Sequence, residues 1–370
     1  MSQESREVAQ LANDLHRVCR EAGPMSVMEV CGTHTVSLFR TGIKAFLPES
    51  FRLVSGPGCP VCVTAQGYID AALDLCARGD VTVASYGDML KVPGQKGSLE
   101  SQRANGAKVL VCYSVRDALK HALEHPHEQV VFLAVGFETT APATAAVVLE
   151  AERLGVGNFS LLLGHKLVMP AVEALLAAND VPLDGFLLPG HVSVIIGSHA
   201  YEPVAARFGK AGVVTGFEPA QMLRGLVRLA ELVAIRRAAI ENVYQVAVGA
   251  AGNRVAQALL QKVLTPADAE WRALGTIPLS GLALREPWAR FDAAARYGLT
   301  FGADYDPPGC RCGEVIQGKA LPQDCPHFAK GCTPRRPIGP CMVSSEGTCA
   351  AWFKYGRNFR HVAPPPVPAA

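Results

Sequence analysis

Short apolar segments recur along most of the chain, and each ends in a loop rich in glycine, proline or polar residues before a helical pattern begins. Alternation of strands and helices is typical of parallel sheets, because a parallel strand pair needs a crossover connection that is usually helical. We therefore predict an α/β fold built from doubly wound, Rossmann-like parallel sheets. In such sheets the functional loops gather at the carboxyl ends of the strands. The loops with reactive residues cover residues 31–35, 56–62, 136–142, 164–166 and 189–193.

Length and a change in composition predict more than one domain. A chain of 370 residues is too long for one ordinary core, and its 49% hydrophobic content is enough to bury more than one. Residues 301–349 differ from the rest, because they are rich in glycine, proline and cysteine and show little periodicity. We predict α/β domains at residues 1–127 and 128–300, a small Cys-rich C-terminal domain at 301–360 and a flexible tail at 361–370.

Charge and hydropathy exclude two classes of partner. The net charge is +2, from 35 basic and 33 acidic residues, so no basic surface for nucleic acid is expected. The polar N-terminus lacks a signal-peptide pattern, and no apolar run approaches the roughly 20 residues of a membrane span. We therefore expect a cytoplasmic protein that binds neither nucleic acid nor membrane. Because cytosolic thiols are kept reduced, its 12 cysteines indicate metal, cluster or redox chemistry.

Cys59 and Cys62 lie in a Gly/Pro-rich turn between a predicted strand at residues 51–54 and a predicted helix at residues 64–77. A helix N-terminus favours the thiolate, and two cysteines at this spacing either close a disulfide or share a soft metal. Glycine and proline on both sides predict that the pair is exposed. We interpret the pair as reactive; the structural alternative is two inert cysteines in a turn.

Cys31 and His34 form a Cys-x-x-His group directly after another predicted strand, at residues 26–30. Thiolate and imidazole are soft and borderline metal ligands, so the group is a candidate metal site. The structural alternative is a buried thiol beside a histidine that caps the next helix. The position at the carboxyl end of a strand, beside a second thiol loop, favours function.

Three further polar side chains follow predicted strands: Glu138, His165 and His191. Each of them could act as a general acid or base, or hydrogen bond to a bound ligand. A single histidine or glutamate in a loop is more often structural. Because the three come from consecutive strand–loop–helix units at one sheet edge, we predict that they share a cleft.

Six of the cysteines crowd into the C-terminal segment: Cys310, Cys312, Cys325, Cys332, Cys341 and Cys349. A segment with so few large apolar residues needs a staple, and metal binding supplies folding free energy. Zinc sites usually show two close cysteine pairs, and this segment has none with that spacing. Widely spaced thiolates favour an iron–sulfur cluster. A zinc-stabilised module and thiols that bind nothing remain the alternatives, and no phosphate-binding fingerprint supports a nucleotide.

Taken together, these motifs resemble the HypD family of hydrogenase maturation factors. The matching stretches occur in order and span nearly the whole chain, at residues 28–35, 56–62, 136–142, 189–193 and 339–349. The resemblance implies a role in building the Fe(CN)2(CO) group of nickel–iron hydrogenases. It implies a small partner, HypC, with which the chain forms the assembly scaffold, and a cyanide donor, HypE.

The resemblance also implies roles for individual cysteines. Cys31 matches the thiol that holds the iron together with a cysteine of HypC, and Cys59 and Cys62 match a redox-active pair. The spacing of 14, 6 and 16 residues between the ligands of the family's [4Fe-4S] cluster falls on four cysteines of the C-terminal segment: Cys310, Cys325, Cys332 and Cys349. Cys312 and Cys341 are left unassigned.

Residues and resemblance lead to one hypothesis: a redox-active assembly scaffold rather than a conventional turnover enzyme. Cys31 anchors the iron, and Cys59 and Cys62 cycle between dithiol and disulfide with electrons from the cluster. We count His34, Glu138 and His191 with these thiols as candidate catalytic residues. The alternative is an iron–sulfur-dependent thiol–disulfide oxidoreductase that acts on a protein substrate and does not need Cys31 as an iron ligand.

Overall fold

The computed structural model describes residues 3–357 and 359–363. Its strands are β1 (Met25–Glu29), β2 (Phe51–Ser55), β3 (Val81–Tyr86), β4 (Val109–Cys112), β5 (Gln129–Gly136), β6 (Phe159–His165), β7 (Gly185–Pro189), β8 (Ala211–Thr215), β9 (Ile240–Asn242), β10 (Leu264–Trp271) and β11 (Gly275–Leu284). Its helices are α1 (Gln3–Ala22), α2 (Gly32–Arg40), α3 (Ile43–Phe46), α4 (Pro60–Val63), α5 (Gln66–Cys76), α6 (Leu99–Ala104), α7 (Val115–Glu124), α8 (Ala141–Arg153), α9 (Val168–Ala178), α10 (Gly190–Ile196), α11 (Glu202–Ala206), α12 (Pro219–Ala234), α13 (Arg254–Val263), α14 (Ala293–Tyr297), α15 (Cys312–Ile316), α16 (Pro340–Val343) and α17 (Thr348–Tyr355).

Two parallel sheets form the body of the protein. The first has the strand order β2-β1-β7-β8-β9, and the second has the order β4-β3-β5-β6. Their central strands are apolar along their whole length, as expected for strands covered on both faces by helices. The predicted α/β fold with parallel, Rossmann-like sheets is confirmed.

The strands of the two sheets are interleaved along the chain. In the first sheet β1 pairs with β7, so that Val27 lies opposite both Leu53 of β2 and Gly185 of β7. The second sheet is formed entirely by the segment between β2 and β7. The two sheets therefore do not coincide with the predicted contiguous ranges 1–127 and 128–300, and the domain limits stay a prediction.

An antiparallel hairpin of β10 and β11 follows the last helix of the α/β body, and the sequence analysis missed it. Its burial pattern is irregular, and its register shifts between Ala267 and Ala269, so the sequence shows no clean two-residue period. Trp271 is fully buried and donates from its indole Nε1 to Ser280 Oγ at 2.7 Å. This bond fixes the end of the hairpin against the core.

The C-terminal segment contains only short helices and packs on loops at the carboxyl ends of the strands. Its helix α17 lies against α2, with the Phe39 and Trp352 rings 5.0 Å apart. The beginning of the predicted tail is held in place, because the Val362 amide donates to Ala45 O at 2.9 Å. Residues 364–370, which include the three consecutive prolines, lie outside the described residues.

Helix length and hydropathy give one further finding. In residues 3–357 and 359–363 no helix combines the length and the apolar character that crossing a membrane requires.

Candidate functional site

The two N-terminal thiol loops meet at the carboxyl ends of the neighbouring strands β1 and β2. The Gly32 amide donates to Gly58 O at 3.1 Å, which joins the loop of Cys31 to the loop of Cys59. A Cβ atom at Gly58 would lie 2.3 Å from the Cys31 nitrogen, so only glycine allows this approach. The parallel pairing of β1 with β2 brings the two loops together.

Cys59 and Cys62 are joined by a disulfide, with their Cα atoms 5.3 Å apart. Cys59 caps the short helix α4, and its Sγ accepts a hydrogen bond from the Cys62 amide at 3.2 Å. The exposed fractions of Cys59 and Cys62 are 5% and 0%. The expectation that this pair is exposed was therefore wrong, because the turn folds inward against the loop of Cys31 and the C-terminal segment.

Cys31 is buried at the N-cap of α2, and its surroundings are negatively charged. Burial is the main reason that the pKa of its thiol is raised to about 12, and the Glu346 and Glu29 carboxylates contribute to this rise. The Thr33 and His34 amides at the start of α2 lower the pKa, but burial is the larger effect. Glu346 is held in place by Thr33, whose hydroxyl donates to Oε1 at 2.7 Å.

His34 and His191 lie on either side of one phenyl ring. The ring centroid of Phe217 is 4.6 Å from that of His34 and 3.9 Å from that of His191. His34 is fully buried and contacts Gly216 O through Nε2 at 3.0 Å, and burial lowers its pKa to about 4. His191 is exposed, so it is the histidine of this stack that a bound molecule could reach.

That Glu138, His165 and His191 share a cleft stays a prediction, and the three residues belong to two different sheets. The first two follow strands of the β4-β3-β5-β6 sheet, whereas His191 follows β7 of the other sheet. Glu138 Oε1 accepts from the Val168 amide at 3.0 Å, and His165 Nε2 contacts Thr144 Oγ1 at 3.3 Å. Among the described residues no hydrogen bond or ring contact joins these three side chains. The chain changes sheets between β6 and β7, so the three units do not belong to one sheet edge, as the sequence analysis assumed.

All six C-terminal cysteines line one small cavity. Within the described ranges no three His, Cys, Asp or Glu side chains are arranged to hold a single metal ion. In a cluster, by contrast, the thiolates surround several irons rather than one point. A Cβ atom at Gly339 would lie 2.8 Å from Cys310 Sγ, so glycine keeps this cavity open. The soft donor set and the open cavity are compatible with an iron–sulfur cluster.

Hydrogen bonds organise the sulfur atoms of this cavity. The thiols of Cys310, Cys312, Cys341 and Cys349 follow one another closely enough that each shifts the pKa of its neighbour. The Cys349 amide donates to Cys341 Sγ at 3.1 Å, and the Ile338 amide donates to a fifth sulfur, Cys332 Sγ, at 3.3 Å. Cys312 and Cys341, which the sequence left unassigned, are therefore buried between two of the predicted cluster ligands.

The C-terminal segment connects this cavity to the thiol loops. Helices α15 and α16 pack on α4, the helix that carries the disulfide. Asp88, in the loop after β3, accepts hydrogen bonds from the Ser345 amide at 2.9 Å and from its hydroxyl at 2.8 Å. Glu346 then reaches the loop of Cys31. The six-cysteine cavity, the disulfide and Cys31 thus belong to one continuous region.

Sequence reasoning missed two contributors to this region, Glu346 and Phe217. Glu346 was part of a recognised motif, and its position between Ser345 and Gly347 was the available signal. A Cβ atom at Gly347 would lie 2.1 Å from Cys341 O, which explains why glycine follows the glutamate. The tripeptide Gly-Phe-Glu occurs at residues 136–138 and again at 216–218, and this repeat was a weaker signal for Phe217.

Comparison with known proteins identifies the family. A profile described as "HypD: Hydrogenase formation hypA family" matches residues 6–356. The chain belongs to the HypD family. The resemblance found in the sequence motifs is therefore confirmed over nearly the whole chain.

Individual members of the HypD family agree with this assignment. The chain is 45% identical to "Hydrogenase expression/formation protein HupD" of Azotobacter chroococcum mcd 1, with 92% of this chain and 93% of that protein covered. It is 44% identical to "Hydrogenase maturation factor HypD" of Azotobacter vinelandii over the same shares. It is 43% identical to the protein of that name in Escherichia coli K12, with 90% and 89% covered.

Proposed function

We propose that this member of the HypD family is a scaffold on which the Fe(CN)2(CO) group of nickel–iron hydrogenases is assembled, in the cytoplasm and together with HypC and HypE. The observation that carries the proposal is the contact between the two thiol loops. The Gly32–Gly58 hydrogen bond and the missing Cβ of Gly58 place a single buried thiol directly beside a thiol pair. A lone metal ligand beside a redox couple is what reductive assembly on one iron requires.

Cys31 is the residue that would hold the iron, which is the substrate of the assembly. Low-spin iron with cyanide and carbonyl ligands is soft, so a thiolate suits it. The Glu346 carboxylate beside Cys31 disfavours a free thiolate but attracts a cation, so iron stabilises the charged thiol here. The exposed His191 is placed to hydrogen bond to a ligand or a partner at this site.

Cys59 and Cys62 would serve as the redox couple. Reduction of their disulfide takes up two electrons and two protons, and reoxidation of the two thiols releases them. Burial of both sulfurs restricts this exchange to groups that already lie in the protein. Four cavity residues would hold a [4Fe-4S] cluster: Cys310, Cys325, Cys332 and Cys349. When bound, such a cluster supplies single electrons at a low potential.

The alternative function is that of an iron–sulfur-dependent oxidoreductase that reduces a separate protein. That function requires a partner's thiol to reach the disulfide. The exposed fractions of 5% for Cys59 and 0% for Cys62 favour the scaffold. A reduction assay with a disulfide-bonded protein such as insulin distinguishes the two, since the alternative predicts turnover that a Cys31→Ala variant retains.

The proposal is tested by measuring iron and acid-labile sulfide, with a visible spectrum, on protein purified anaerobically in complex with HypC. The wild type is compared with Cys325→Ala and Cys31→Ala, and Cys76→Ala, which removes a buried thiol on α5, serves as the matched control. We expect about four irons with sulfide in the wild type, lost only in the Cys325 variant. One additional iron, without sulfide, is expected to be lost only in the Cys31 variant.

Two results would contradict the proposal. A colourless protein with stoichiometric zinc would remove the cluster and the source of electrons, because zinc has no visible absorption. Full retention of the additional iron in Cys31→Ala would show that Cys31 is not its ligand.

A further inference from the structure

A second pocket lies away from the cysteines, beside the edge strand β6. Its walls come from the end of β6, the first residues of α5, the β10–β11 hairpin and the loop at residues 301–302. The cavity measures about 200 Å³ and contains no cysteine. That volume holds a compact organic molecule but not a large cofactor.

Lys166 is the residue that gives this pocket its chemistry. The residue is only 7% exposed, yet its ammonium has no hydrogen-bond or ion-pair partner among the described residues. The ammonium makes a cation–π contact with the Trp271 ring, with Nζ 5.9 Å from the ring centroid. Lys166 lines the pocket, so its ammonium can bond to an anionic ligand there. Burial lowers the pKa of this amine to about 8, so most of it is charged at pH 7.

The backbone holds Lys166 in this position. Its amide donates to Gly136 O at 2.9 Å, and the residue forms an antiparallel bridge with Gly281 of the hairpin. The following amide, that of Leu167, donates to Ser280 O at 2.8 Å. The sheet and the hairpin therefore fix the lysine backbone from two sides, at the wall of the pocket.

Two aromatic rings form another wall of the pocket. Tyr68 and Phe301 are nearly parallel, with an interplanar angle of 5° and centroids 6.4 Å apart. The Tyr68 hydroxyl is fixed by donation to Leu162 O at 2.7 Å, whereas Phe301 is 50% exposed. Flat apolar surfaces of this kind favour a flat apolar part of a ligand.

Two carboxylates limit the charge that the pocket accepts. Asp268 and Glu270 both line it, and Glu270 is the main source of negative potential at Lys166. Both are engaged in the hairpin, since Asp268 accepts from the Leu279 amide and Glu270 accepts from the Thr276 hydroxyl. A multiply charged anion would be repelled by them, whereas a single negative charge at Lys166 is balanced.

We propose that this pocket is a binding site for a small organic monocarboxylate with a flat apolar body. The carboxylate bonds to the Lys166 ammonium, and the flat part packs on Tyr68 and Phe301. Inorganic phosphate can bond to the Lys166 ammonium, but it has no flat apolar part to pack on the two rings. Its multiple negative charge is repelled by Asp268 and Glu270.

The test uses the full-length chain and benzoate as the probe, with binding measured by isothermal titration calorimetry. Neutral benzamide and inorganic phosphate are the comparison probes. Lys166→Met keeps the length of the side chain but removes its charge, and Lys262→Met, at an exposed position on α13, is the matched control. Loss of a charge-assisted hydrogen bond weakens binding by at least about tenfold. We expect the wild type to bind benzamide at least about tenfold more weakly than benzoate, and Lys166→Met to bind benzoate more weakly by the same factor. Lys262→Met should bind benzoate like the wild type.

Phe301→Ala keeps the result interpretable if Lys166→Met alters the fold, because Phe301 is half exposed and its removal leaves the core intact. We expect this variant also to bind benzoate more weakly. Absence of benzoate binding at millimolar concentration would overturn the proposal. So would unchanged affinity in a folded Lys166→Met variant, or inorganic phosphate binding at least as tightly as benzoate.

Discussion

Replacement of Gly58 by alanine tests the central contact of the candidate site. The new Cβ atom would lie 2.3 Å from the Cys31 nitrogen, 2.4 Å from the Val30 carbonyl carbon and 2.5 Å from the Cys31 Cα. All three are backbone atoms, which have no rotamer by which to move aside. The two thiol loops must therefore separate by several tenths of an ångström or more.

The magnitude follows from two contributions. Overpacking a tight site destabilises a protein by about 1–3 kcal/mol, and loss of the 3.1 Å Gly32–Gly58 hydrogen bond adds about 1 kcal/mol. We therefore expect Gly58→Ala to lower the free energy of unfolding by about 2–4 kcal/mol. With a urea m-value near the upper end of about 1–3 kcal/mol/M, the unfolding midpoint falls by about 1 M.

The assay is urea unfolding followed by circular dichroism, with Gly79→Ala as the control. Gly79 has no atom within 4 Å of the position of its added Cβ, so its replacement leaves the midpoint almost unchanged. The Gly58 variant should also lose the additional iron that we propose Cys31 binds, because the loop of Cys31 is displaced. A Gly58→Ala midpoint equal to that of Gly79→Ala would refute the argument that the loops touch in solution.

Three further predictions concern single side chains. Burial raises the pKa of Glu138 from 4.5 to about 7, so the native state keeps a proton that the unfolded chain has lost. The contribution of Glu138 to stability therefore falls as the pH rises from about 4.5 to 7. Glu138→Gln should remove this contribution, which urea midpoints measured from pH 4.5 to 8 would show as a flatter slope. Arg272 is fully buried and donates to Thr64 O and to Gln66 Oε1. Lysine cannot reach both acceptors, so Arg272→Lys should lower the free energy of unfolding by about 2 kcal/mol or more in the same assay. A wild-type urea midpoint would contradict this prediction. Asp88→Asn weakens the hydrogen bonds to Ser345 and should increase hydrogen exchange of the Ser345 amide, measured by mass spectrometry, without a change in the two sheets.

Much of this structure follows from local sequence patterns. Apolar runs of four to eight residues that are bounded by glycine and proline predicted most strands of both sheets, because such runs are buried on both faces whatever they pair with. The motifs around Cys31 and Cys59 were placed correctly at strand ends. The crowding of cysteines after residue 309 predicted a segment without an ordinary core, and all six line one cavity.

Other features depended on contacts between residues far apart in the chain. An apolar strand has no side-chain pattern that selects its neighbour, so the sequence of β7 does not show that it pairs with β1 rather than with β6. That pairing places His191 after a strand of one sheet, whereas Glu138 and His165 belong to the other. Because the burial of β10 and β11 is irregular, their sequence did not predict the hairpin that packs beside Lys166.

The sequence by itself determined most strands of the two parallel sheets and which loops carry reactive groups, because hydrophobic periodicity and turn chemistry act over a few residues. Only the tertiary structure decided what surrounds those groups. It buries the Cys59–Cys62 disulfide, brings Glu346 to Cys31 and places Lys166 in the wall of a pocket. The physical reason is that burial and charge depend on every atom nearby in space, and residues such as Cys31 and Glu346 are separated by most of the chain.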